Sequence, residues 1–293
     1  MKIYNTKTRS KEDFIPLEAG KLKLYACGPT VYNYFHIGNA RAFIFFDVVR
    51  RYFEYLGYEV SYVQNITDID DKIIEQAIAE NKNFSNIASY YADAFLEDSR
   101  RLGIQPPTVQ PRATEVMQEI IALIKELEDK GFAYEVNGNV YFDTGVLDTY
   151  GSLSGNKIEE QLAGARVVEN TETKHPADFT LWKASKPGEP VWQSPWGEGR
   201  PGWHTECVVM SQQHLGRSFD IHGGGIDLVF PHHENENAQA MALSGEPLAR
   251  YWMHNGFLNV DGDKMSKSLK NFFTARDILK EYPAEAIRFF FLS

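Results

Sequence analysis

The chain has 293 residues, 43% of them hydrophobic and 13% aromatic, enough for one large domain or two ordinary ones with a substantial core. Its formal net charge of -10 argues against binding nucleic acid through bulk charge, while a local basic patch stays compatible with it. No stretch approaches the ~18 apolar residues of a membrane helix, and the N-terminal Met1-Lys2-Ile3-Tyr4-Asn5-Thr6 has no apolar signal core. The two cysteines, Cys27 and Cys207, fit the cysteine-poor pattern of cytosolic proteins, so a cytoplasmic location is expected.

Residues 1–20 read as a polar hairpin or loop. Leu22 to Cys27 alternates and then turns apolar, as a buried strand does, and Gly28-Pro29 stops it. Ile44, Phe45, Val48, Val49, Tyr52 and Leu56 recur at helical spacing, with Gly57 placed to end the helix. Glu59 to Ile66 reads as a second strand, so a strand–helix–strand unit and a parallel sheet are expected. Asp68, Asp70 and Asp71 follow; they lack the spacing and glycine of a calcium loop, and capping at a strand-to-helix junction is the expected use. Helical periodicity runs from Ile73 to Leu102 with a break near Asn83, and again from Thr114 to Lys130. Short strands are expected over Phe132 to Val136 and Asn139 to Phe142 around an Asn137-Gly138 turn. From Tyr150 to Pro201 the chain is rich in Gly, Ser, Pro and charge and reads as an irregular insertion. The sheet is expected to resume at Phe219 to His222, followed by a helix from His232 to Leu243 and a last strand from Tyr251 to Leu258. Helices over Ala275 to Tyr282 and Ala284 to Leu292 complete the reading.

Two stretches are candidates for phosphate chemistry, each a weak signal alone, and the lysine pair of the second is by itself ordinarily solvated charge. Phe35-His36-Ile37-Gly38-Asn39-Ala40 lies between the first strand and its helix, where helix-end amides face an anion. Lys264-Met265-Ser266-Lys267-Ser268 puts two cations three positions apart near the other end of the chain. A third pattern concerns metal: His232 and Glu236, four apart, project from one helix face, and with Cys27 and Cys207 they make a conceivable zinc set. On the residues alone, such a pair is usually a surface or capping pair rather than a metal site. Trp203 likewise reads equally as core, and His222 as a satisfied strand-end histidine.

In their order and spacing, the first two stretches resemble the HIGH and KMSKS signatures of class I aminoacyl-tRNA synthetases. Three further segments resemble cysteinyl-tRNA synthetases: Cys27-Gly28-Pro29-Thr30-Val31-Tyr32, Gly202-Trp203-His204-Thr205-Glu206-Cys207 and Phe230-Pro231-His232-His233-Glu234-Asn235-Glu236. Asn65-Ile66-Thr67-Asp68 and Trp182-Lys183 resemble family stretches as well. One departure is mild: Asn39 stands where the general signature has histidine.

The resemblance implies an α/β fold, a Rossmann-like parallel-sheet nucleotide-binding domain split by an inserted connective region, with the start of a C-terminal helical segment. The halves would be residues 1–112 and 201–260, the insertion 113–200, and the second signature with the helical start 261–293. It implies activation of L-cysteine with ATP and Mg2+ to cysteinyl-adenylate, then transfer to the 3′-terminal adenosine of cysteine tRNA. One zinc ion per chain would be held by Cys27, Cys207, His232 and Glu236. ATP would meet His36, Gly38, Asn39, Lys264, Ser266 and Lys267, with His36, Asn39, Lys264 and Lys267 acting on the phosphates. Thr30, Thr67, Trp203, His204, His222 and Asp227 would form the pocket for cysteine and the ribose or adenine. Zinc has a rationale: a shape pocket separates serine from cysteine poorly, whereas a soft sulfur binds the metal far better than a hydroxyl does.

Family members continue with a helical bundle and an anticodon-reading domain, whereas this chain stops at Ser293 after an apolar run. The expectation is a shortened monomer in which adenylate formation survives better than tRNA charging, with tRNA binding weak or lost. Two rivals share these features: a cysteine:amino-sugar ligase of mycothiol synthesis built on the same core, and a catalytically silent synthetase-like binding module.

Overall fold

The computed structural model describes residues 1–155, 172–260, 263–264 and 273–293. In chain order these form β1 (Lys2–Asn5), β2 (Ser10–Asp13), β3 (Lys21–Ala26), α1 (Ile37–Tyr55), β4 (Glu59–Gln64), α2 (Asp71–Glu80), α3 (Phe84–Arg101), α4 (Met117–Asp129), β5 (Ala133–Val136) and β6 (Asn139–Phe142). There follow β7 (Phe179–Ala184), β8 (Trp192–Ser194), β9 (Gly197–Pro201), α5 (Trp203–Leu215), β10 (Phe219–Gly225), α6 (Glu234–Ser244) and β11 (Ala249–Asn255). The last elements are β12 (Asn259–Val260), β13 (Asp263–Lys264), α7 (Ala275–Glu281) and α8 (Ala284–Leu292). The chain divides into two compact units.

One unit comprises Ile15–Arg112, Asp220–Asp227 and Met253–Ser293. Its sheet places β3 between β10 and β4, parallel to both, with Leu24 opposite Tyr62 and Ile221. A central parallel strand covered on both faces has no solvent side, and Leu22, Leu24, Tyr25 and Ala26 are all buried. Helix α1 turns Ala40, Phe43, Ile44 and Phe46 inward. It ends at Leu56, after which Gly57 takes a φ of 87° that residues with a Cβ rarely adopt. The helical run beyond β4 is two helices: α2 closes on Asn81 in the left-handed region, and Asn83 caps α3 by accepting the Ser85 N–H. Ala275 of α7 and Ile287 of α8 enter one apolar cluster with Phe35, Ile37, Phe43 and Phe95.

Two buried aspartates anchor the last helices to this cluster. Asp47 of α1 accepts from Arg51, Arg288 and the Gln105 N–H, and Asp98 of α3 takes a two-point bond from Arg276. The parallel sheet flanked by helices is the α/β architecture expected from the sequence.

The other unit comprises Met1–Phe14, Ala113–Phe219 and Leu228–Trp252. The polar start forms the β1–β2 hairpin. A five-stranded antiparallel sheet runs β5-β6-β7-β9-β8. Part of the stretch expected to be irregular is therefore regular. In β7, Phe179, Leu181 and Trp182 are buried, and Gly199 of β9 lies so close to the Trp182 ring that a side chain there would overlap it. Glycine in β9 serves close packing rather than a turn. Helix α4 starts at Met117, after a 3₁₀ turn over Ala113–Glu115, not at Thr114. Strand β11 starts before Tyr251 and ends at Asn255, short of the expected Leu258.

Candidate functional site

In the second-described unit the site begins where β9 ends. Gly202 caps α5 with extended backbone, and a Cβ on it would overlap the Thr180 carbonyl oxygen. The cap thus fixes where α5 starts, and with it the directions of Trp203, His204 and, one turn on, Cys207. Gly202→Ala is expected to cost about 1–3 kcal/mol by overpacking, and a lower midpoint in thermal unfolding would register the loss.

Opposite α5, the turn before α6 presents His232, and the first turn of α6 presents Glu236. His232 is not within the regular helix, as the sequence reading expected, but in a wider turn over Val229–His233. Its ring still meets Glu236: His232 Nε2 lies 2.9 Å from Glu236 Oε1 and 3.6 Å from Cys207 Sγ. Trp203 stacks on the other side of the imidazole at 3.8 Å. His232 Nδ1 lies 2.9 Å from His204 Nδ1, so one ring donates and the other accepts. Burial, then the neighbouring His232, pushes His204 well below the ordinary histidine range. Burial is the largest single influence and lowers His232 too, but Glu236 and Cys207 together outweigh it and raise the imidazole to about 10. His204 is then the neutral acceptor and His232 the donor, which leaves His232 Nε2 directed at Glu236 and Cys207.

Each of Cys207, His232 and Glu236 is at most 1% exposed, and one ligand atom from each lies within 4.8 Å of the other two. Two donors on a tetrahedral zinc stand about 3.5 Å apart at ordinary bond lengths. A sulfur, an imidazole nitrogen and a carboxylate oxygen so placed fit a zinc-type cation. His204, bonded to the far nitrogen of His232, orients the ring as such sites require.

Glu234 and its neighbours tie helix α6 to chain outside it. Glu234, Asn235, Glu236, Asn237 and Gln239 are all buried. The Glu234 carboxylate accepts three backbone N–H groups, from Gly151, Leu153 and Ser154, at 3.0, 3.1 and 2.7 Å. Asn235 accepts the Tyr150 hydroxyl at 2.7 Å. The helix carrying Glu236 is thereby held by polar bonds to distant chain, a pattern without a periodic signal.

In the first-described unit, Cys27 follows β3, is buried, and donates its N–H to the Gly223 carbonyl. Beyond the strand ends, Thr30 and Thr67 form a parallel bridge. Val31 donates to the Thr67 carbonyl, and Asn65 donates to the Thr67 hydroxyl at 3.0 Å. His222 sits opposite Tyr25 on the neighbouring strand, ring edge to ring face at 5.1 Å. Asp227 follows β10 on an exposed 3₁₀ turn. Cys27, Thr30, Thr67 and Asp227 follow the carboxyl ends of parallel strands, where open sheets of this kind take ligands, whereas His222 lies within β10.

His36 caps α1: its Nδ1 accepts the Asn39 N–H at 3.2 Å. An accepting Nδ1 puts the neutral ring's proton on Nε2. The first turn of α1, with Gly38 half-buried and Asn39 exposed, holds no acidic residue, so its N-terminal field stays favourable to anions.

Chain on both sides of the second signature is tied to this same turn. Phe273 accepts the Ile37 N–H at 2.9 Å, Phe35 accepts the Ala275 N–H at 3.0 Å, and His36 pairs with Thr274. Arg41 donates to the Gly256 and Phe257 carbonyls. Lys264 lies in β13, paired with Asn259 of β12; Ser266 and Lys267 lie outside the described residues.

Residues 13–293 match the family described as tRNA synthetases class I (C) catalytic domain. The chain belongs to this family. Among curated members, this class I synthetase chain is 60% identical over all 293 residues to the cysteine–tRNA ligase of Clostridioides difficile (strain 630). It is 59% identical over the same span to that of Carboxydothermus hydrogenoformans. It covers 100% of itself and 63% of each of these relatives' length. Its fold is similar to that of Mycobacterium tuberculosis methionyl-tRNA synthetase, solved in complex with methionyl-adenylate, with a TM-score of 0.73 at 16% identity. That match covers 93% of this chain and 64% of the other.

Proposed function

We propose that this synthetase chain activates L-cysteine with ATP to cysteinyl-adenylate, and that the longer protein transfers the aminoacyl group to the 3′-terminal adenosine of cysteine tRNA. The buried sulfur, nitrogen and oxygen donors of Cys207, His232 and Glu236 carry this reading, supported by 60% identity to a cysteine–tRNA ligase. We infer a nucleotide-binding domain interrupted by an insertion over residues 113–200, acting as a cytoplasmic monomer. Among the described residues no helix is long and apolar enough to cross a membrane.

Activation is attack of the cysteine carboxylate on the α-phosphorus of ATP, with magnesium pyrophosphate leaving, so positioning and charge do most of the work. His36 offers its Nε2–H, Gly38 its first-turn amide and Asn39 its exposed side-chain amide, to the phosphates. Lys264, Ser266 and Lys267 supply charge and hydrogen bonds to the departing pyrophosphate. Thr30, Thr67, His222 and Asp227 bind the amino-acid and nucleoside ends, Asp227 as the carboxylate for an ammonium or hydroxyl group. Trp203 and His204 hold the His232 ring in place.

Cys27 joins Cys207, His232 and Glu236 as the zinc ligands. When bound, the metal prefers a thiolate to a hydroxyl and so separates cysteine from serine. Lys267→Ala is expected to lower cysteine-dependent ATP–pyrophosphate exchange by about a hundred- to a thousandfold, roughly 3–4 kcal/mol of barrier. Exchange at the wild-type rate would remove Lys267 from the mechanism.

A further inference from the structure

We propose that Arg276 is a positioning residue for the turn that presents His36, an inference resting on the nucleotide-binding role proposed above. The Arg276 guanidinium makes a two-point bond to Asp98, at 3.0 and 3.1 Å. Asp98 is fully buried, and a planar fork on a buried carboxylate fixes direction as well as distance. The same guanidinium lies 4.0 Å over the ring of Tyr34, two residues before His36. Tyr34 is held from its far side, its hydroxyl 2.6 Å from that of Tyr90 and its ring edge-on to Tyr91 at 5.3 Å.

Arg276 also directly follows the run that pairs with the turn. Phe273, Thr274 and Ala275 bond the backbone of Phe35, His36 and Ile37 in antiparallel fashion. Phe95, three residues before Asp98 on α3, packs edge-on against Phe35 at 5.5 Å. One face of α3 therefore holds both strands of this short pairing, the first through Phe35 and the second through Arg276. The His36 side chain bonds locally to the Asn39 N–H. Where the ring stands thus depends on its backbone, and the backbone depends on the Arg276–Asp98–Tyr34 arrangement.

Arg288 supplies an internal comparison. It too reaches a buried aspartate, with Nη2 2.6 Å from Asp47. Asp47 is eleven residues along α1 from His36, about 16 Å at the helical rise. Losing either arginine strips a buried carboxylate of a partner, but only Arg276 touches the turn.

The test measures KM for ATP and for cysteine in ATP–pyrophosphate exchange, equilibrium affinity for ATP, and the thermal midpoint. It compares wild type, Arg276→Ala, Arg276→Lys and Arg288→Ala well below the lowest midpoint. Expected is an increase of about tenfold or more in KM and dissociation constant for ATP in Arg276→Ala, with KM for cysteine within about twofold of wild type. Arg276→Lys, which keeps charge but not the fork, falls between. Arg288→Ala lowers the midpoint and leaves both KM values in place. An unchanged ATP affinity in Arg276→Ala overturns the proposal, and so do equal shifts in Arg276→Ala and Arg288→Ala. If the wild type gives no cysteine-dependent exchange, the functional reading fails by itself. The ATP dissociation constants of the four proteins then decide the positioning role alone.

Discussion

Replacing Glu236 by alanine is expected to empty the metal site and to reduce discrimination between cysteine and serine. Glu236 has no solvent exposure, and its carboxylate oxygen lies 2.9 Å from His232 Nε2. Alanine removes a donor oxygen together with its negative charge. The site is left with less charge to offset a dication, and the Glu234 carboxylate, two residues earlier, is engaged by three backbone N–H groups. Zinc content should fall from about one ion per chain to a small fraction, since altering even the groups behind metal ligands costs 10–100-fold in affinity. Without the metal, cysteine and serine differ by one atom in a pocket of fixed shape, for which discrimination falls to about a hundredfold or less. Metal analysis of the purified variant, beside activation rates for the two amino acids, measures both effects. Retained zinc with undiminished selectivity would remove Glu236 from the site.

Asp47→Ala is expected to be the most destabilising single change in the sheet-bearing unit. The Asp47 side chain is fully buried within α1. It accepts from the Arg51 guanidinium at 2.9 Å, the Arg288 guanidinium at 2.6 Å and the Gln105 N–H at 2.9 Å. These donors belong to α1 itself, to the last helix α8 and to the chain leaving α3, so one carboxylate ties three segments. Alanine leaves two guanidinium groups facing a small cavity without their anion. The arginines left behind are 40% and 18% exposed, so the cost falls below the ~3–5 kcal/mol of a fully buried pair. Asp47→Asn keeps the shape and one acceptor oxygen and should lose less. Denaturant unfolding followed by fluorescence ranks the three proteins, and an Asp47→Ala variant within about 1 kcal/mol of wild type would show that the cluster contributes little net stability.

The strand–helix–strand core was readable because its physics is periodic. Leu22 to Ala26 and the inward face of α1 carry the apolar pattern of elements covered by other elements, and Gly57 marks the helix end by its positive φ. The turn at His36 was readable for the same reason, since a cap must sit where the strand pattern stops and the helical one begins. What escaped was polar burial. The first turn of α6 is wholly polar, yet Glu234, Asn235, Glu236 and Asn237 are all inside. Their partners, Tyr150, Gly151, Ser154 and Leu248, are remote in sequence for the first three or lie beyond the helix.

Asp47 and Asp98 escaped likewise: an acidic residue within a helical pattern looks solvated until the arginines that find it are known. The stretch before Pro201 misled for another reason. Its glycines signalled turns, but Gly199 is there because the Trp182 ring lies against the strand. The site itself was half legible. Spacing alone put His232 and Glu236 on one face, whereas Cys207 joins them only through the packing of α5 against the turn before α6.

The most direct test is cysteine-dependent ATP–pyrophosphate exchange, measured on the chain loaded with zinc, after chelation and after zinc is returned. It predicts exchange with cysteine and little with serine, loss of that preference on chelation, and its recovery with zinc. Exchange that ignores cysteine, or a preference for cysteine that survives complete removal of the metal, would contradict it.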